Sequence, residues 1–201
     1  MDESTQRRIT DARTLRAIAH PVRIAIMEQL TIHGAMTATE VGDRLDETPA
    51  NCSWHLRKLA EYGFVEEAPG GTGRQRPWQV THIGMTWGDE ADSPQGADIQ
   101  LAGQALTEVL VAREVDRLME SQARAVDEPP EWRSAATSTQ SMMWLTAEEL
   151  EAANEAVREA LMKHFDRHQD PALRPPGSRL CAFLSWGVPT YGLADPTPSA
   201  E

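Results

Sequence analysis

Short stretches of apolar residues at helical spacing, each bounded by a local start or stop signal, fill the first 63 residues of the chain. The first runs from Asp11 to Ala19 and stops at His20 and Pro21, because the residue before a proline is pushed out of the helical region. Pro21 opens a second helix with Val22, Ile26 and Leu30 on one face and a C-terminal cap at Gly34. Thr37 and Glu40 form a capping box, each side chain satisfying the other residue's backbone amide, and start a third helix bearing Val41 and Leu45. Thr48 before Pro49 starts a fourth, which Gly63 closes.

The pattern then changes. Phe64 to Ala68 and Trp78 to Thr81 are short β-like runs flanking the glycine-rich, basic segment Pro69 to Pro77, which predicts a hairpin with a long tip. Four helices followed by a hairpin is the order of a winged helix-turn-helix. Residues 88–97 are polar and rich in Gly, Asp and Ser, as a linker would be. Beyond them, Asp98 to Ala125 contains no proline and predicts a long helix with a broad apolar face: Ile99, Ala102, Leu106, Val109, Ala112, Val115 and Met119.

After a break at Glu128 to Pro130, Ser138 to Leu145 reads as a strand. A second capping box, Thr146 with Glu149, starts a helix that carries Leu150, Ala153, Val157, Leu161 and Phe165 and runs to about His168. A proline-rich linker at 171–177 precedes a β-like run from Leu180 to Trp186, and the tail from Pro189 has the composition of a disordered segment. The fold class expected is mainly α with small β (α+β). Its parts are a winged helix-turn-helix domain at 10–87, a long helix at 98–125, a small C-terminal α+β subdomain at 130–188 and a disordered tail at 189–201.

A net charge of −12 argues superficially against nucleic acid as a partner, but the charge is unevenly placed. Residues 1–85 hold 10 basic against 11 acidic residues, whereas residues 86–201 hold 9 against 20. The acid belongs to the second half, and the face offered to a duplex is what counts. Two cysteines, Cys52 and Cys181, are too few and too far apart for a disulfide framework or a four-ligand zinc site. The polar start and the interrupted apolar stretch from Leu180 to Val188 offer neither a signal peptide nor a membrane span, so a cytoplasmic location and no membrane partner are expected.

On a helical wheel the fourth helix turns Cys52, Leu56, Leu59 and Ala60 inward, and the opposite side centres on Asn51, Trp54 and Lys58 with Ala50, His55 and Arg57 at its edges. Asn pairs bidentately with adenine, Lys reaches guanine or phosphate, and Ala can touch a thymine methyl, so this is a groove-reading face with Thr48 at its start. The bland reading is a solvated helix face, with Trp54 covering the preceding helix. Arg74 and Arg76, in the tip that follows, suit phosphate or minor-groove contact.

Residues 11 to about 85 resemble the ArsR-type winged-helix regulators. The segment Ala19 to Leu30 is similar to their second-helix signature, Thr37 to Leu45 to the first helix of their helix-turn-helix, and Ser53 to Leu59 with Tyr62 to Val65 to the recognition helix and its exit. The resemblance implies a homodimer on double-stranded DNA at a pseudo-palindromic operator, with repression as the usual outcome. It adds Ser53, His55 and Arg57 to the DNA contacts. Dimerisation would use the long helix through Ile99, Ala102, Leu106, Val109, Val115 and Met119. The long second half looks like the extended subgroup, in which a long helix and a small α+β segment follow the wing.

Metal sensing by the family's usual routes is not expected, because the third helix lacks cysteine and the long helix lacks histidine. His164 and His168 stand four apart beside Asp166 and Asp170, but solvated histidines are the commoner meaning of that pattern, and no metal or cofactor is assigned. Trp132, Met143, Trp144, Phe183 and Trp186 would form the core of the C-terminal subdomain or line a pocket for an unidentified small-molecule effector. Catalysis is not expected, since no nucleophile elbow, P-loop or HExxH motif is present. The alternative function is a winged-helix protein-interaction module without direct DNA readout.

Overall fold

A computed structural model describes residues 6–70, 76–87 and 96–191. The chain divides into two compact units, Met1–Asp116 and Arg117–Glu201, and the division falls inside one long helix.

In the first unit the caps read at Gly34, Thr37 and Thr48 are in place, and Asp11, read as the first residue of its helix, is the cap instead. Asp11 accepts the Thr14 amide at 2.8 Å and starts α1 (Ala12–Ile18). α2 (Pro21–His33) begins with proline at its first position and ends at Gly34, whose φ of 79° suits a residue without Cβ. Thr37 and Glu40 close both bonds of the capping box at the start of α3 (Ala38–Leu45), and Thr48 accepts the Asn51 amide at the start of α4 (Pro49–Glu61).

Two small sheets join these helices. β1 (Gln6–Ile9) runs parallel to β4 (Gly84–Trp87), and β2 (Val65–Glu67) pairs antiparallel with β3 (Trp78–Val80) in the register Val65 to Val80. Met36 adds a one-residue bridge to Trp78, with both backbone bonds made at 2.9 and 2.8 Å. The hairpin β2–β3 is the wing. β1 and β4 are not apparent in the sequence, because four-residue strands joined across the whole domain leave almost no periodicity.

One core serves the unit. Leu15, Ile18, Ile26, Leu30, Val41, Leu56 and Leu59 are buried at the junction of α1 to α4. α5 (Gly96–Arg124) adds Ile99, Ala102 and Leu106 to that core. The Trp87 ring lies against Gly103, where a Cβ would come within 3.0 Å of it. Arg16 pairs with Asp98 at 3.1 Å, and Arg113 makes a two-pronged ion pair with Glu28.

This placement corrects the expected dimer stripe. Ile99, Ala102 and Leu106 are inside their own protomer, and Val109 is half-buried against the same core. Val115 and Met119 are exposed, as are Leu101 and Leu118. At about 100° per residue the seven positions drift round the helix, so the first part of the series faces inward and the last part faces nearly the opposite way.

In the second unit, a 3₁₀ turn at Ala125–Asp127 leads to the short α6 (Pro130–Ala135). A complete Thr146 and Glu149 capping box starts α7 (Ala147–Met162). A break then separates it from α8 (Asp166–Gln169), where one continuous helix was expected. A further 3₁₀ turn spans Pro171–Leu173.

The strands expected at 138–145 and 180–186 do not form: both segments are irregular, and neither pairs with a described strand. An apolar β-like run specifies a strand only when another strand accepts its ladder, and the described residues supply none here. Most of the expected linker and tail, residues 88–95 and 192–201, lie outside the described residues. No described helix is long and apolar enough to cross a membrane.

Candidate nucleic-acid interface

α3 and α4 form the helix-turn-helix, and the turn between them is set by one close approach. Glu47 donates its amide to the Gly42 carbonyl at 3.0 Å, while its own carbonyl oxygen lies 2.6 Å from where a Gly42 Cβ would be. Only glycine fits there without moving the backbone. Asp46 caps α3 in the left-handed region at φ 54°, a conformation that Asp tolerates better than most residues.

α4 is held from one side. Cys52, Leu56 and Leu59 are buried, each leucine contributing about 1.5–3 kcal/mol. Burial, with the Glu47 charge nearby, pushes the Cys52 thiol up, so it is a core residue and not a nucleophile. Facing away from that anchor are Ala50, Trp54, Arg57 and Glu61, all exposed and all within an arc of about 60°. Ser53 flanks the arc on one side; Asn51 and Lys58 flank it on the other.

The outward face is therefore turned by about 60° from the expected centre on Asn51, Trp54 and Lys58, toward Arg57 and Ser53. Three contacts explain the turn. His55, expected at the edge of the reading face, is 3% exposed and packs, tilted by 45° at 4.8 Å, against the ring of His20, which accepts the Val22 amide and so caps α2. Asn51 donates its side-chain amide to Glu47 at 2.8 Å, tying it to the turn. Lys58 is engaged with Glu61 at 2.9 Å and lies over the Tyr62 ring. Ser53, conversely, accepts a bond from Arg57 at 3.0 Å and belongs to the surface.

Trp54 is 52% exposed, with its inner edge against His55 at 4.7 Å. The Arg23 guanidinium stands 5.9 Å from its ring and donates to the Ala17 carbonyl. Burial lowers the pKa of His55, and the neighbouring His20 and Arg23 lower it further against an opposing pull from Glu47; burial and Arg23 lower that of His20. The Nδ1 of His55 has no hydrogen-bond partner among the described residues. Arg23 and His20 thus support the reading face from behind. Their role was not read from the sequence, whose only hint is that His20 and Arg23 flank the proline that opens α2.

Three cations gather at the C-terminal end of α4. Arg7 donates to the Tyr62 carbonyl at 2.7 Å and covers Phe64; Arg13 bonds the Tyr62 hydroxyl at 3.0 Å; Lys58 covers the same ring. Positive charge is favourable at a helix C-terminus. In the wing, Arg76 makes a two-pronged pair with Glu67 at 2.8 and 2.7 Å, which raises its pKa. Arg74 lies outside the described residues.

The aromatic set of the second half does not close a pocket. Met143, Trp144, Phe183 and Trp186 are exposed, and Trp132 is half-buried under Arg179 at 4.5 Å. The hollow on the flank of α7 is lined by Ala147, Leu150, Glu151, Asn154, Glu155 and Arg158, none of them in that set. These residues were expected to be a core or an effector pocket, and within one described chain they are neither, because no strand or helix covers them. No group of His, Cys, Asp and Glu suited to a metal occurs among the described residues.

Residues 18–68 match the family model described as a helix-turn-helix domain, which spans α2, α3, α4 and the first strand of the wing. No curated protein matches the chain. Among solved structures, a MarR family regulator from Neisseria meningitidis is similar over 76% of this chain and 78% of that one, at 14% identity. Its TM-score of 0.31 makes that likeness too loose to bear on fold or function. The matched segment, together with the turn at Gly42, the exposed face of α4 and the β2–β3 hairpin, makes this a winged helix-turn-helix module of the kind found in DNA-binding transcription regulators.

Proposed function

We infer that the protein is a sequence-specific DNA-binding transcription regulator that places α4 in the major groove. The observation that carries this reading is the division of α4 into two sides: Cys52, Leu56 and Leu59 hold it to the core, while Ala50, Trp54 and Arg57 project together with Ser53 beside them. Arg57 reaches guanine or phosphate, Ser53 bonds either kind of base, and Ala50 meets a thymine methyl. Arg76 and the cations around Tyr62 supply backbone contacts on either side. The exposed pairs that now hold Lys58 and Arg76 contribute little by themselves, so phosphate can replace their carboxylate partners.

The reading extends to a homodimer on a pseudo-palindromic operator, with half-sites about 34 Å apart. Repression and membership of the ArsR-type subgroup rest on the resemblance of Ala19 to Leu30 and Ser53 to Leu59. Also part of the proposal are a cytoplasmic site of action, no catalysis, and the organisation into reading head, dimerisation helix and C-terminal segment. On α5, the apolar positions free for a partner are Leu101, Val115, Leu118 and Met119.

One observation favours the protein-interaction alternative: the reading face includes an acidic residue, Glu61, and a large exposed indole, Trp54. Sequencing the duplex fragments that the purified protein retains from a random pool separates the two. A recurrent inverted repeat is expected; fragments with no shared sequence would overturn direct readout.

A further inference from the structure

Two tracts of the second unit, residues 138–145 and 180–191, contain no Asp, Glu, Lys or Arg, although the chain carries a net charge of −12. Both are irregular, and neither makes a backbone-to-backbone hydrogen bond to a described residue. Both adjoin the first half of α7. The first tract leads directly into the Thr146 cap, and the second is held over the opening turns of α7 by the bond from Asn154 to the Gly187 carbonyl at 3.1 Å. A Cβ on Gly187 would approach Leu150 within 3.1 Å, so the second tract lies close on the helix.

The side chains of these tracts face solvent. Trp144 is 81% exposed, Phe183 73% and Trp186 63%, and Met142, Met143, Leu180, Val188 and Tyr191 are exposed as well. At about 150–250 Å² for each large aromatic ring, the apolar surface is on the order of 1,000 Å². The largest apolar patch of a typical monomer is about 300–600 Å², and each partner in a standard interface gives up about 800 Å². The surface is too large for a solitary chain and the right size for one partner's share of a contact.

We propose that the two uncharged tracts are the contact between two copies of this chain, with Leu180–Trp186 of one copy pairing antiparallel with the same segment of the other. Two copies of so acidic a protein repel wherever carboxylates face each other, and these tracts let them touch with no like charges opposed. Antiparallel pairing of a segment with itself is also the twofold arrangement, in which each residue meets its counterpart's partner in both directions. It gives the open backbone groups their ladder and explains why strands suggested by the sequence are unpaired in one chain. The proposal makes these tracts the contact without which the homodimer inferred above separates, the exposed positions of α5 not holding it alone, and it stands on the tracts and not on DNA binding.

The test uses the full chain at tens of micromolar. Sedimentation is expected to give the mass of two chains, and hydrogen exchange is expected to show slow amides at alternate residues within 180–186, the ones that donate across the pair. The double variant Phe183→Glu with Trp186→Glu changes exposed side chains only. It should keep the circular dichroism of the native protein, fall to the single-chain mass of 22.2 kDa and exchange those amides rapidly. A monomeric native protein, fast exchange throughout 180–186 in a native dimer, or a variant that keeps the two-chain mass would each overturn the proposal. Duplex binding is read on the same native sample: its absence contradicts the regulator reading without altering the mass or the exchange pattern.

Discussion

Arg57 and Asn51 stand two turns apart on α4 and are held differently. Arg57 is exposed and leans only on the Ser53 hydroxyl, so it reaches a groove by a change of rotamer. Asn51 is half-buried and spends its amide on Glu47. Arg57→Ala is expected to cost about 1–3 kcal/mol of operator affinity, whereas Asn51→Ala should change it less than about threefold. Fluorescence anisotropy on a retained duplex measures both, and the reverse order would mean that the outward face has been assigned to the wrong arc. The sequence alone favoured Asn51, because a wheel treats the helix as if its anchor were symmetric. The actual rotation depends on His55 finding His20 on another helix, which no local pattern encodes.

That histidine pair makes a second residue-scale prediction. Both imidazoles titrate below their ordinary value of 6.5 in the folded protein, so the unfolded chain takes up protons first as the pH falls. The stability they allow is present above about pH 6.5 and is lost as the pH drops through the lower folded values. Melting temperature should fall between about pH 7 and about pH 5, and fall less in His55→Gln. Equal falls in the two proteins would show that the histidine pair is not the group responsible.

At the scale of elements, the turn between α3 and α4 hangs on Gly42. Gly42→Ala forces a methyl against the Glu47 carbonyl, and the backbone must yield. A loss of about 1–3 kcal/mol is expected from such overpacking, measured by urea unfolding, together with weaker duplex binding because the angle between the helices changes. Unchanged stability and binding would mean that the turn relaxes freely. Helix boundaries were legible in the sequence because caps are local: Asp11, Thr37, Thr48 and Thr146 each bond an amide three residues on. Strands were legible only where they form a hairpin, as at Val65 and Val80. The parallel pair β1 and β4 joins segments far apart in the chain, and the runs at 138–145 and 180–186 have no partner among the described residues. The α5 stripe misled for a related reason: Ile99 and Leu106 have the same spacing whether they face the core or another chain, and their burial decides.

At the scale of the whole molecule, the distribution of charge decides what can approach. Residues 1–85 are nearly balanced, and their cations Arg7, Arg13, Arg57, Lys58 and Arg76 include those at α4 and the wing, while residues 86–201 hold most of the acid. On the proposed reading the first face accepts a duplex and the acidic remainder repels it, so binding depends on alignment rather than on net charge. The central claim is that the outward side of α4 meets DNA, and the salt dependence of duplex affinity tests it most directly, measured for the native protein and for Arg57→Ala. The native protein should show log affinity falling linearly with log salt, with a slope of about −0.9 for each phosphate neutralised. Arg57→Ala should bind more weakly, and more shallowly as well if the guanidinium reaches phosphate. Absence of duplex binding, a response to salt that is flat, or an Arg57→Ala curve superimposable on the native one would contradict the claim.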